Sequence, residues 1–198
     1  MDEEPFRSLL ATGWPVLLSI VLFHRIRSQM TWERLDRRQE GIPMLVGLRL
    51  VGMVNALGIG AYLTNPMSMA WASLGLPRGL RWVGIALAGW AAAMLTWTLV
   101  SLGRNLTDTV VTRRAHTLVS HGPYRWVRHP FYAFVTLSLI GTAVASANWF
   151  HLVAALCLLA MFWERTHTEE AKLIERFGDA YRDYAARTGR FLPRGLRG

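Results

Sequence analysis

The chain has 198 residues, a length that suits one domain, and 52% of them are hydrophobic against only 18% charged. A soluble globular domain carries about 25% charged residues, so a soluble class is disfavoured from the start. The single cysteine, Cys157, excludes a disulfide framework and a cysteine-based zinc site, and no metal site is read here. The net charge of +9, from 22 basic and 13 acidic residues, would point to nucleic acid in a soluble protein. Here the basic residues stand in blocks between long apolar runs, so the expected partner is a lipid bilayer and not nucleic acid. Lys172 is the one lysine among those basic residues, a skew that reads as codon bias in a GC-rich, bacterial genome.

A membrane-crossing helix needs about 20 mainly apolar residues. In chain order the qualifying runs are Ser8–Phe23, Pro43–Thr64, Trp82–Leu102, Phe131–Ala147 and Trp149–Trp163. The last two are separated only by Asn148 and its neighbours, which predicts a helical hairpin of rather short arms. The expected fold is therefore all-α, a polytopic membrane protein with about five transmembrane helices, the last two a hairpin, followed by cytosolic C-terminal helices. Residues 1–198 read as a single membrane domain, with three N-terminal spans in 1–102 and a loop, hairpin and tail in 103–198. The start, Met1-Asp2-Glu3-Glu4, has no basic n-region and does not read as a cleaved signal peptide.

Charge orients these spans. Loop 24–42 carries Arg25, Arg27, Arg34, Arg37 and Arg38; loop 103–130 carries Arg104, Arg113, Arg114, Arg125 and Arg128. Tail 164–198 adds Arg165, Lys172, Arg176, Arg182, Arg187, Arg190, Arg194 and Arg197. Five crossings put all three segments on the cytoplasmic face, with the N-terminus, Arg7, Arg78 and Arg81 outside. For a bacterial host the membrane is the inner membrane. Small residues mark helix contacts in lipid, and Gly84, Ala88 and Ala92 form one such ridge, Ala56 and Gly60 a shorter one. Arg49 is the one charge well inside a span. It reads either as a functional intramembrane residue or as a snorkelling side chain.

Polar chemistry gathers on both sides of the expected hairpin. Before it runs His116-Thr117-Leu118-Val119-Ser120-His121-Gly122-Pro123-Tyr124-Arg125-Trp126-Val127-Arg128-His129-Pro130-Phe131-Tyr132. Gly122-Pro123 marks a turn. Pro130 suits the first position of a helix, and His129 before it is pushed towards extended backbone. Alone, Arg-His-Pro equally describes a plain helix entry meeting lipid headgroups. After the hairpin runs Arg165-Thr166-His167-Thr168-Glu169-Glu170-Ala171-Lys172-Leu173. Arg165 and Glu169, four apart, share a helix face, which alone is a surface ion pair of little consequence. Leu173, Phe177, Tyr181 and Tyr184 then make an apolar stripe, with Gly178 placed to break the helix. Such a helix either lies on the membrane or caps a cytosolic pocket. His121 and His167 read as solvated loop histidines.

Together these segments resemble the isoprenylcysteine carboxyl methyltransferase family of integral membrane enzymes. The resemblance runs from His116 to Pro193. It includes His116-Thr117-Leu118-Val119, Gly122, Tyr124, Trp126, Arg128-His129-Pro130, Tyr132, Arg165, Glu169-Glu170, Leu173-Ile174, Phe177-Gly178, Tyr181, Tyr184 and Leu192-Pro193. It implies S-adenosylmethionine as cofactor, with S-adenosylhomocysteine as product, bound at the cytosolic face without a Rossmann domain; no Gly-rich Rossmann fingerprint is present. By the same resemblance His116, Leu118, Val119, Tyr124, His129, Pro130, Phe131, Tyr132 and Glu169 line the cofactor pocket, and Arg165 contacts the acceptor. Arg128 and Arg49 are second choices for that contact. The family has a glycine soon after the motif tyrosine, where this chain has Ala133 and Phe134. The implied reaction is methyl transfer to a lipophilic small molecule or prenylated substrate. A carboxylate acceptor needs no general base, whereas a thiol or a phospholipid amine would need help with a proton from His121 or His167. Two other readings are a nicotinamide-dependent membrane reductase of the sterol-reductase type, whose Arg-His-Pro-x-Tyr region is similar, and a non-catalytic scaffold. The oligomeric state is not legible.

Overall fold

A computed structural model describes residues 3–29, 42–103 and 117–194. His116, Arg34, Arg37, Arg38, Arg104, Arg113, Arg114 and Arg197 lie outside the described residues. Helices in chain order are α1 (Glu4–Gln29), α2 (Ile42–Thr64), α3 (Arg78–Leu102), α4 (Pro130–Ala145), α5 (Trp149–Phe177) and α6 (Asp179–Arg187). Short 3₁₀ turns cover Pro66–Ala72 and Gly122–Arg125. Among the described residues the only β pairings are two isolated bridges, so the all-helical expectation holds. Three segments, Glu4–Ser28, Pro43–Thr64 and Arg78–Leu102, are long and apolar enough to cross a membrane; Pro130–Ala145 is apolar but shorter. Large apolar side chains such as Leu18, Phe23, Leu57, Val83 and Val100 stand outward, as expected where the solvent is lipid.

Polar bonds show which helix ends meet. Arg81, at the start of α3, is 1% exposed. It donates to Glu3 through Nη1 (2.8 Å) and Nη2 (2.5 Å) and to the Ala145 carbonyl through Nε (2.8 Å). Tyr62 of α2 donates its hydroxyl to Glu3 at 2.9 Å, and Arg7 donates to the Leu63 carbonyl at 2.7 Å. The starts of α1 and α3 and the ends of α2 and α4 therefore share one end of the molecule. A buried charge needs such pairing. Burial would raise the Glu3 carboxyl, but its bonds from Arg81 and Tyr62 hold it below the usual range.

The contact between α3 and α4 is set by small residues. A Cβ on Gly84 would meet the Ala145 nitrogen at 2.5 Å and the Gly141 carbonyl at 2.8 Å; one on Gly141 would meet the Ala88 nitrogen at 2.6 Å. The expected Gly84/Ala88 ridge thus has a matching ridge, Gly141/Ala145, on α4. The Ala56/Gly60 pair differs from expectation. Both residues are exposed and nothing lies within 4 Å of a Cβ on Gly60. The close approach on α2 is instead at Gly58, where a Cβ would meet Phe150 of α5 at 2.6 Å. Between these contacts lie two apolar clusters, one of Leu17, Leu95, Leu99 and Phe134, the other of Ile59, Leu139, Ala155 and Leu158.

Three residues, 146–148, connect α4 to α5. Ala147 turns with φ 48°. Asn148 caps α5 by accepting from the Phe150 (3.0 Å) and His151 (3.4 Å) amides, satisfying donors a helix start leaves free. From there α5 continues for 29 residues, about 43 Å at 1.5 Å per residue. It does not stop at Trp163 but carries Arg165, Glu169 and Glu170 on the same unbroken helix. It ends at Phe177, where Gly178 adopts φ 56°, as its position in the apolar stripe predicts.

Candidate functional site

The site forms where the segment before α4 meets the polar half of α5. Gly122 enters its turn with φ 60°, and a Cβ there would collide with the Ser101 side chain at the end of α3. The turn seats Pro123 and Tyr124 in the interior. His129 is buried, and Pro130 behind it opens α4. This brings Tyr132, one turn into α4, against α5. Its ring stacks on Phe162 with centroids 4.5 Å apart, and the His129 ring lies nearly parallel to it at 5.8 Å. The Tyr132 hydroxyl donates to Glu169 Oε2 at 3.0 Å. Arg165 Cζ lies 6.0 Å from the Tyr132 ring centre.

The two adjacent glutamates are in different situations. The Glu169 side chain is 30% exposed. Glu170, 14% exposed, accepts from Arg128 Nε at 2.9 Å and Arg190 Nη2 at 3.0 Å, and its Oε1 lies 3.0 Å from His129 Nε2. Burial alone would raise the Glu170 carboxyl. Its bonds to His129 and Arg128, and their charge, outweigh this and pull it down to about 2. Both nitrogens of His129 thus face protein carboxylates, since Nδ1 lies 3.8 Å from Glu169. Arg128 Nη1 also donates to the carbonyls of Ala185 (3.1 Å) and Thr188 (2.5 Å).

The C-terminal turn closes over this hub. The amides of Arg128 and His129 donate to the carbonyls of Gly189 (2.8 Å) and Arg190 (3.0 Å), and the Gly189 amide returns a bond to Trp126 (3.1 Å). Tyr181 and Tyr184 of α6 are buried, and the Tyr184 hydroxyl donates to the Tyr124 carbonyl at 2.7 Å. The apolar stripe of the tail therefore turns inward as a cap. Burial, and then the charge of Glu169, push the Tyr124 phenol well above its ordinary value, so it stays protonated.

Of the residues expected to line a cofactor pocket, the structure brings His129, Pro130, Tyr132 and Glu169 together with Arg165. Tyr124 and Val119 are buried, Leu118 and Phe131 half-buried, and His116 falls outside the described residues. Arg128 differs from its expected place at the acceptor, because Nε and Nη1 are engaged by Glu170 and the tail carbonyls. Arg49 is exposed on α2, and no bond joins it to the cluster. Sequence reasoning missed Phe162, the partner of Tyr132, and the part of Glu170 as a hub. The available signal for Glu170 was the adjacent pair Glu169-Glu170: neighbours on a helix point about 100° apart, so the two carboxylates meet largely different surroundings.

Fold and site together define an all-helical membrane protein with a composite polar site at one end of its helices. Residues 82–175 match the model of the isoprenylcysteine carboxyl methyltransferase family. It is 32% identical over 126 residues to the mouse protein-S-isoprenylcysteine O-methyltransferase, covering 62% of this chain and 44% of the relative. It is 28% identical over 181 residues to the fission yeast (Schizosaccharomyces pombe) enzyme, covering 84% and 73%. The chain thus spans less than half the length of the mouse relative. A solved structure of the eukaryotic intramembrane Ras methyltransferase, isoprenylcysteine carboxyl methyltransferase, aligns with a TM-score of 0.56 at 20% identity, covering 94% of this chain and 68% of that one. This last likeness is one of fold.

Proposed function

We propose that the chain is an S-adenosylmethionine-dependent methyltransferase of the membrane, passing a methyl group to a lipophilic acceptor, foremost a carboxylate. The observation that carries the reading is the cluster of Tyr132, Phe162, His129, Arg165 and Glu169. It sets a part-exposed carboxylate beside stacked aromatic rings, a donor set suited to a ligand bearing an ammonium and a cationic sulfur. The relatives reported above carry methyltransferase names, so the reductase reading gains no support from them.

In this reading the cofactor supplies a methyl group already activated on a sulfonium. Glu169 pairs with its ammonium, since Glu170 is saturated by protein donors. The Tyr132–Phe162 stack and Tyr124 form an apolar floor and wall, with Leu118, Val119, Pro130 and Phe131 completing the lining. His129 acts as a positioning residue, bracing Tyr132 while Glu170 holds it. Arg165 orients the acceptor carboxylate through its planar pair of N–H donors, with Arg49 a remoter candidate. A carboxylate is ionised at neutral pH, so alignment and exclusion of water are the main demands on the protein. The cap formed by α6 and the C-terminal turn meets the second of these.

The finer topology belongs to the same proposal. The apolar parts of α4 and α5 form a hairpin that adds two crossings to the three long spans. The polar site then faces the cytoplasm, in a bacterial inner membrane if the host is bacterial. Residues 1–102 shape the lipid-side entrance, and 117–194 carry the cofactor pocket. The test is transfer of a labelled methyl group from S-adenosylmethionine to a lipid extract of the host by the purified chain. A labelled product abolished by Arg165→Ala and Glu169→Ala supports the proposal; a folded chain that labels nothing opposes it.

A further inference from the structure

A second pocket lies beside the methyl-transfer cluster. Trp163, His167 and Glu170 succeed one another at four and three residues along α5 and share a face. Phe162, Arg165 and Glu169 share another, about a third of a turn away. Against the first face the C-terminal turn forms an open cleft of about 300 Å³ lined by Arg128, Trp163, Ala185, Thr188, Gly189, Arg190 and Arg194.

Three guanidinium groups converge on this cleft against one carboxylate. Glu170 is saturated by its three partners and neutralises one of them. Arg190 lies 5.1 Å over the Trp163 ring and donates through Nη1 to His167 at 3.1 Å and through Nη2 to Glu170. Arg128 Nη2, Arg190 Nε and the whole exposed guanidinium of Arg194 have no acceptor among the described residues. The cleft therefore keeps unused N–H donors and a net positive charge, the chemistry that grips a phosphate.

Its rim is apolar. Trp163 is 43% and Leu192 60% exposed, and Phe191 packs on Trp163 at 5.8 Å. Exposed tryptophan at the end of an apolar helical run marks the lipid–water interface. A soluble phosphate would make no use of that rim, whereas a lipid would lay its glycerol and first methylenes along it. We propose that the cleft between Trp163 and the Arg190–Arg194 turn binds the phosphate of an anionic lipid headgroup, docking the C-terminal cap to the membrane surface.

The test is calorimetric titration of the purified full chain in neutral detergent with dihexanoyl phosphatidylglycerol. Dihexanoyl phosphatidylcholine and glycerol phosphate are titrated in parallel. One saturable phosphatidylglycerol site is expected, with both other probes far weaker. Arg194→Ala should weaken it about tenfold, the loss of one charge-assisted contact. Arg182→Ala removes the same charge from the exposed side of α6, where Arg182 pairs with Asp179, and should leave the affinity unchanged. The proposal is overturned if the two lipids bind alike, if glycerol phosphate binds as tightly as the lipid, or if both variants lose affinity equally, which would reduce the effect to bulk charge. Each variant is checked for an unchanged melting temperature. None of these readings depends on methyl transfer, so failure here leaves the proposed activity standing.

Discussion

At the scale of single residues, Glu169 and Glu170 differ most in consequence. Glu170→Gln strips the charge from a carboxylate that holds Arg128, His129 and Arg190, and is expected to cost roughly 2–3 kcal/mol of stability, seen as a lower melting temperature in detergent. Glu169→Gln should leave melting almost unchanged and remove cofactor affinity. The same hub sets an acid limb. Because the folded carboxyl of Glu170 sits at about 2, below its ordinary 4.5, its stabilisation is complete above about pH 5 and is lost as the pH falls towards 2. Melting temperature measured between those limits should fall in the parent chain and fall less steeply in Glu170→Gln. Ala147 offers a gain. Its φ of 48° is uncomfortable for a side chain, so Ala147→Gly should stabilise the turn by about 0.5–1 kcal/mol, measured by the same melt.

Among the elements, α3 and α4 are joined by backbone approach, and a larger residue cannot enter without separating them. Gly84→Val or Gly141→Val should cost about 1–3 kcal/mol and, by tilting α4, also weaken cofactor binding although neither residue touches the site. Lower melting with intact affinity would show that α4 is held by other contacts. The Gly84 ridge was legible because small residues at a spacing of four commonly mark close helix contacts in lipid. Its partner was not, because Gly141 and Ala145 lie in a run apolar on every side. The Ala56/Gly60 pair shows the limit of that reasoning: the spacing is identical, yet this face of α2 is exposed and Gly58 makes the contact. Likewise Arg165, Glu169, His129 and Tyr132 could be grouped from two polar stretches flanking one apolar hairpin pattern. Of the long-range partners, Tyr184 stood out in the apolar stripe of the tail, whereas Arg190 and Phe162 carry no local pattern. Arg190 and Tyr184 are placed by the return of the chain after Gly178, and Phe162 by the packing of α5 on Tyr132 of α4, neither of which sequence spacing encodes.

In the whole molecule, one end of the helices is held by Glu3, Arg81 and Tyr62 and the other carries the polar site. The proposed orientation, with the site end towards the cytoplasm, follows from the positive-inside tendency. Cysteine substitution at exposed Arg125, labelled by a membrane-impermeant reagent in a Cys157→Ala background, should react in inverted but not right-side-out vesicles. The opposite result would reverse the orientation. The central claim is that segments on either side of α4 and the apolar half of α5 form one pocket for a sulfonium cofactor. It is tested most directly by calorimetric titration of the folded chain with S-adenosylmethionine. One saturable site is expected, lost in Glu169→Ala at unchanged melting temperature. Folded protein that takes up no S-adenosylmethionine, or binds it equally well without the Glu169 carboxylate, would contradict it.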